Sequence, residues 1–162
     1  MANPQAGDGI DALDYAIIRA LSADAELTNK ALARQLDIAE STCAYRIRRL
    51  RETGVIGARR LEIDYAKLGG GMRAVVIANL YRHTREAVDD FMDYIQRQPN
   101  VINAMNVTGR FDFIITVAVS DVDELRGFVL DHVTNVPQIR STETLIVFDS
   151  RNGEWLPIEL AS

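Results

Sequence analysis

The sequence predicts an α+β chain in two parts, helices first and an antiparallel sheet with helices second. Three observations carry this. Apolar residues between Leu13 and Val55 recur at helical spacing. The run Gly69-Gly70-Gly71 then interrupts every pattern. Beyond it, four Val- and Ile-rich stretches are interleaved with two helical stripes.

In the first part, Leu13, Ile17, Ile18 and Leu21 form one apolar stripe, so a helix is expected from about Asp11 to Ser22. Thr28 is a good N-cap for a second helix, with Leu32, Ala33 and Leu36 on one face. Leu36–Ala39 makes a short turn, and a third helix runs from about Glu40 to Thr53 with Cys43, Ile47 and Leu50 inward. Gly54 stands where a helix often ends in a left-handed residue, and Val55 and Ile56 return the chain to the core. The run Arg59–Tyr65 alternates and predicts a short strand.

In the second part, Met72–Tyr81 is a strand, and Thr84 caps a helix that ends before Pro99, with Val88, Phe91, Met92 and Ile95 inward. Val101–Val107 and Phe111–Val119 are strands joined by the tight link Thr108-Gly109-Arg110. Ser120 or Asp121 caps the next helix, whose Leu125, Phe128, Val129 and Val133 face inward, and Ile139–Phe148 is the last strand. This βαββαβ order is the ferredoxin-like arrangement. Both Phe111–Val119 and Ala74–Leu80 are apolar on both alternations. Two helices cover only one face of such a sheet, so the other is expected to pack on a second copy in a homodimer.

Composition narrows the function. At 162 residues with 48% hydrophobic and 25% charged content, the chain is globular and holds one ordinary domain or two small ones. No apolar run reaches the ~20 residues a bilayer span needs, and Met1–Ile10 lacks the features of a secretory signal. The single cysteine, Cys43, reads as a core residue, which points to a reducing, cytoplasmic setting. His83 and His132 have no partners at metal-ligand spacing, so no metal is expected. With no nucleophile–base pair and no phosphate-binding loop, neither a catalytic residue nor a cofactor is expected.

Charge is distributed unevenly. Residues 34–60 hold seven arginines against three acids, a balance of +4 in a chain whose total is −5. A positive helix after a short turn is a helix-turn-helix (winged-helix-like) candidate, in which the last helix lies in the major groove of double-stranded DNA. Arg46 and Arg49, three apart, are expected to share an exposed face, extended by Ser41, Thr42, Tyr45 and Arg48. The competing reading is a solvated arginine-rich face, or a helical domain that binds another protein in a small-molecule-sensing adaptor.

The order and spacing of several runs resemble the Lrp/AsnC (leucine-responsive, feast/famine) family of prokaryotic transcriptional regulators over nearly the whole chain. These runs are Leu13-Asp14 with Ile17-Ile18, Leu32-Ala33, Tyr45–Leu50 with Gly54-Val55-Ile56, Val107–Phe113 and Ser141–Val147. The resemblance implies a DNA-binding domain joined by a hinge strand to an amino-acid-sensing domain, assembled as dimers and often as rings of four dimers. Three departures stand out. Asp37 and Ala39 replace the usual Gly and Ser near the turn, so that Asp37, Glu40 or Ser41 must cap the third helix. Arg110 replaces an acid in the effector loop, and Gln138 replaces a glycine before the last strand.

The expected organisation is therefore a DNA-binding domain at 1–57, a hinge strand and linker at 58–71, an effector-binding and dimerisation domain at 72–150, and a tail at 151–162. Ser41, Thr42, Tyr45, Arg46 and Arg49 are expected at or near base edges, and Arg48, Arg59 and Arg60 at phosphates. An effector, an amino acid or carboxylate metabolite, is expected near Thr108, Gly109, Arg110, Asp112, Gln138, Thr142 and Thr144.

Overall fold

In the computed structural model, which describes residues 9–58 and 61–151, helix α1 (Ala12–Ala23) starts in a reciprocal cap. The Asp11 side chain accepts from the Asp14 N–H at 3.0 Å, and the Asp14 side chain accepts from the Asp11 N–H at 3.1 Å. Each bond satisfies a donor that the first helical turn leaves unpaired. Helix α2 (Asn29–Gln35) is capped by the Thr28 hydroxyl, which accepts from Ala31 N–H at 3.1 Å. Helix α3 (Glu40–Glu52) follows a turn in which Asp37 adopts φ 53°, a left-handed conformation that Asp tolerates better than most residues. The expected substitute cap is not formed. The N-cap residue is Ala39, and no side chain accepts a bond there. Ile17, Ala20, Leu32, Ala33, Cys43, Ile47 and Leu50 form the core of this part, with Ile56 packed against it and Val55 left exposed.

The chain divides into two compact units, and the division falls between Leu61 and Glu62, ahead of the glycine run. The expected strand at Arg59–Tyr65 does not form over its described part. Leu61–Asp64 is irregular, and Tyr65–Leu68 is a 3-10 turn capped by Asp64. A strand needs a neighbour for its backbone groups, and among the described residues none flanks this segment. Arg59 and Arg60, the first eight residues and the tail from residue 152 lie outside the described residues.

The second unit contains β1 (Met72–Leu80), α4 (Arg85–Ile95), β2 (Val101–Asn106), β3 (Phe113–Val119), α5 (Val122–Val129) and β4 (Ile139–Val147). A π-helical turn, Leu130–Thr134, extends α5. The four strands lie in the order β2-β3-β1-β4, every neighbouring pair antiparallel. Thr84 caps α4 and Asp121 caps α5. Gly70 is pinned rather than free: a Cβ there would stand 3.1 Å from Ala118 Cβ and 3.2 Å from the Tyr65 carbonyl.

Ala74, Val76, Ala78, Phe113, Ile115 and Val117 face the helices and pack on Phe91, Ile95, Leu125 and Phe128. Registered pairs place Val75, Ile77, Ile114 and Thr116 on the other face, flanked by Met105 and Leu145, both exposed. On that face Ile77 is buried, whereas Val75, Ile114 and Thr116 are partly exposed.

Candidate nucleic-acid interface

Helix α3 has two distinct charged sides. Ser41, Thr42, Tyr45 and Arg48 are exposed, and Ser41, Tyr45 and Arg48 fall at i, i+4 and i+7, one stripe along the helix. The Arg48 guanidinium lies 5.8 Å from the centre of the Tyr45 ring and 3.9 Å from the Glu52 carboxylate. Arg48 is thus preoriented by an aromatic face while its donors stay in water.

Arg46 and Arg49 do not share that exposed face, contrary to the expectation from their spacing. Both turn toward α1. Arg46 donates to the Asp11 carboxylate and lies 3.2 Å from the Asp14 carboxylate, while Arg49 donates to Asp14 and, at 2.6 Å, to the Gly9 carbonyl. The reason is the fully buried Asp14, a carboxylate that must be paired wherever it leaves water. One oxygen, Oδ2, takes all its pairings, and Oδ1 has no partner among the described residues. Arg46 holds the Asp11 carboxyl below its ordinary value, with the Asp14 N–H adding to the effect. In return Asp11, then Asp14, raise the Arg46 guanidinium above its own. A signal for this cluster lay in the spacing. Asp14 is in register with Ile17, Ile18 and Leu21, and Arg46 with Cys43, Ile47 and Leu50, so two inward stripes carry opposite charges.

In the second unit, the other expected site residues gather at one end of the sheet. The Asp112 carboxylate accepts from Leu80 N–H at 2.8 Å and lies 2.9 Å from His83 Nε2. Its backbone carbonyl accepts from Val107 N–H and from the Asn106 side chain, each at 2.9 Å. These bonds delay β3 to Phe113, two residues beyond the expected start. Thr108, Gly109 and Arg110 form the exposed tip, with Gly109 at φ 115° and the Arg110 guanidinium 5.2 Å from the Phe111 ring centre. Across β1, the Gln138 carbonyl accepts from Tyr81 N–H at 3.0 Å, and Thr142 pairs with Ala78 and meets the Thr134 hydroxyl at 3.4 Å. Thr144 is two residues further along β4, opposite Val76. The end of β1 therefore separates the hairpin from the start of β4. Gln138 also borders a cleft of about 360 Å³ lined by Asp90, Tyr94, Asp131 and Asn135. A wider cleft of about 850 Å³, bordered by Tyr65, Gly70, Ala118 and Asp121, lies at the opposite end of the sheet and holds none of the expected effector residues.

His83, read from sequence as surface or structural, is the brace of Asp112, and the His132 ring lies 5.3 Å from that of Phe128 in a tilted contact. Cys43 is buried, which pushes its thiol up from the ordinary range and leaves it poorly reactive. No group of three or more metal-ligating side chains occurs among the described residues, and no helix among them is long and apolar enough to cross a membrane.

Residues 10–56 match a winged helix-turn-helix DNA-binding family, and residues 73–153 match the Lrp/AsnC ligand-binding domain. The HTH-type transcriptional regulator AldR of Mycolicibacterium smegmatis is 35% identical over 144 residues, which cover 89% of this chain and 84% of AldR. A transcriptional regulator of Neisseria meningitidis, solved as a complex with L-methionine, superposes with a TM-score of 0.84 at 21% identity over 93% of this chain and 98% of its own. AsnC of E. coli gives a TM-score of 0.78 at 24% identity, covering 91% and 97% of the two chains. With a helix-turn-helix unit followed by this sheet domain, the chain belongs to the Lrp/AsnC family of DNA-binding transcriptional regulators.

Proposed function

We propose that α3 enters the major groove with Ser41, Thr42, Tyr45 and Arg48, and that Arg59 and Arg60 add phosphate contacts. The observation that carries this reading is the exposed Ser41–Tyr45–Arg48 stripe on the helix that follows the short turn. Arg48 offers a planar fork suited to a guanine edge or a phosphate. Arg46 and Arg49 serve first as anchors between α3 and α1. In this reading residues 1–57 bind DNA in the cytoplasm, 58–71 link, and 72–150 sense an effector and dimerise.

Dimerisation is supported by the apolar face around the partly exposed Val75 and Ile114, with the exposed Met105 and Leu145 beside them, which a second sheet would remove from water. Rings of four dimers are the family's larger assembly and the expectation for this chain. The effector is an amino acid or a related carboxylate metabolite, bound by the hairpin Thr108–Asp112 with Gln138, Thr142 and Thr144. The L-methionine complex of the Neisseria meningitidis regulator makes amino acids the first class to screen.

The test is titration of the full chain onto DNA from upstream of its own gene, across a salt series. Affinity should fall steeply with salt, because each neutralised phosphate releases counterions. Tyr45→Ala and Arg48→Ala should each weaken binding, by ~1–3 kcal/mol where a base contact is lost. Salt-independent binding, or indifference to both substitutions, would refute the assignment of α3.

A further inference from the structure

The two carboxylates that hold Arg46 have different standing. Asp14 is fully buried and also holds Arg49, so its pairings are part of the core. Asp11 sits at the rim: its side chain is 53% exposed, while that of Arg46 is 23% exposed. A rim carboxylate offers a guanidinium the same two anionic oxygens that a DNA phosphate offers. We propose that Asp11 is an affinity-setting residue, an internal substitute for phosphate that competes with DNA for Arg46. The inference rests on the reading of α3 as the DNA-facing helix.

The geometry separates the two duties of Asp11. Its Oδ1 accepts from the Asp14 N–H and caps α1, whereas its Oδ2 accepts from Arg46. The capping bond can therefore persist while the Arg46 bond is exchanged. When a phosphate approaches, Arg46 leaves Oδ2 and pairs with the phosphate, and the freed Asp11 oxygen returns to water. Asp14 keeps Arg49 throughout, so α3 does not lose its anchor on α1. Arg46 also lies 3.2 Å from Asp14 Oδ2, so the guanidinium keeps that inner contact and gives up only the half-exposed Asp11 bond, a pair that water screens and weakens. The cluster Asp11, Asp14, Arg46 and Arg49 is neutral as a set, so the positive charge read from the sequence is partly cancelled until Asp11 is displaced.

The substitution that isolates this role is Asp11→Asn in the full chain. Asparagine keeps the capping oxygen and removes the competing charge. Asp11→Ser, which also caps without charge, is the second variant if the first disturbs folding. On a DNA fragment that wild type binds, Asp11→Asn should bind about threefold to tenfold more tightly at low salt, because Arg46 reaches the phosphate without first giving up a carboxylate, while the log K versus log salt slope stays near that of wild type, since the same phosphate is neutralised in both. In an Arg46→Gln background, Asp11→Asn should give no such gain. Unchanged affinity, with Tyr45→Ala and Arg48→Ala still weakening binding, would overturn this inference and leave the reading of α3 intact. An equal gain in the Arg46→Gln background would overturn it too, because the effect would then be one of overall charge. Failure of wild type to bind DNA would overturn both.

Discussion

Asp14 on α1 is fully buried beneath the guanidinium of Arg49 on α3, 35 residues away in the chain, and this pair ties α3 to α1. Asp14→Ala leaves Arg46 and Arg49 without their shared partner at the helix junction. Breaking a buried pair costs ~3–5 kcal/mol, and the partial exposure of both arginines places the loss near the lower end. Denaturant unfolding of the full chain checks this, and a change below ~1 kcal/mol would contradict the clamp.

Acid should loosen the same junction through Asp11. Its carboxyl is held below the ordinary 3.8 by Arg46 first and the Asp14 N–H second. The folded state thus binds its proton less readily than the unfolded chain. The stabilisation is full above the unfolded value and is lost as pH falls from there through the lower folded value. Helical circular dichroism during acid titration should fall further for wild type than for Asp11→Asn below pH ~4. Superimposable stability profiles would show that the Arg46 pair contributes nothing.

Asp112 closes the base of the hairpin between β2 and β3. Asp112→Ala leaves the buried Leu80 N–H without its acceptor, an expected loss of ~1–3 kcal/mol. Asp112→Asn keeps an acceptor oxygen and should recover most of it. His83→Ala should cost less than ~1 kcal/mol because its ring is largely exposed. A ranking of the three variants by thermal or denaturant unfolding that puts His83→Ala worst would reverse this account.

The open sheet face predicts assembly. Wild type should sediment as a dimer or larger, and Ile114→Lys, which places a charge opposite Ile77, should shift it toward monomer by more than about tenfold in dissociation constant. A monomeric wild type at micromolar concentration would dispose of the sheet-to-sheet dimer.

Arg110 sets the charge of the hairpin tip. Its guanidinium favours carboxylates and repels an ammonium group, so an acidic or carboxylate-rich effector is expected. Calorimetry of wild type and Arg110→Asp against a panel of amino acids should show the acidic ligands losing affinity in the variant. Tight binding of a neutral or basic amino acid, indifferent to the substitution, would remove Arg110 from the site.

Local rules were enough for most element boundaries. Asp11, Thr28, Thr84 and Asp121 cap helices because each offers a short side-chain acceptor just before an apolar stripe, a relation contained within four residues. The four strands of the second unit were equally legible, since alternation and β-branched composition are properties of the stretch itself. The segment at Leu61–Asp64 shows the limit of that logic. It alternates like a strand, yet a strand is defined by a neighbour that takes its hydrogen bonds.

The sequence by itself determined the order of helices and strands, the positive charge on α3 and the stripe that faces the core. Only the tertiary structure decided which arginines are drawn to α1. Spacing placed Arg46 and Arg49 on one face, but it could not say that the buried carboxylate of Asp14 lies against that face. A charge cannot be left unpaired in a dry interior, so the carboxylate recruits the arginines nearest to it in space, and Tyr45 and Arg48 are left to meet the solvent.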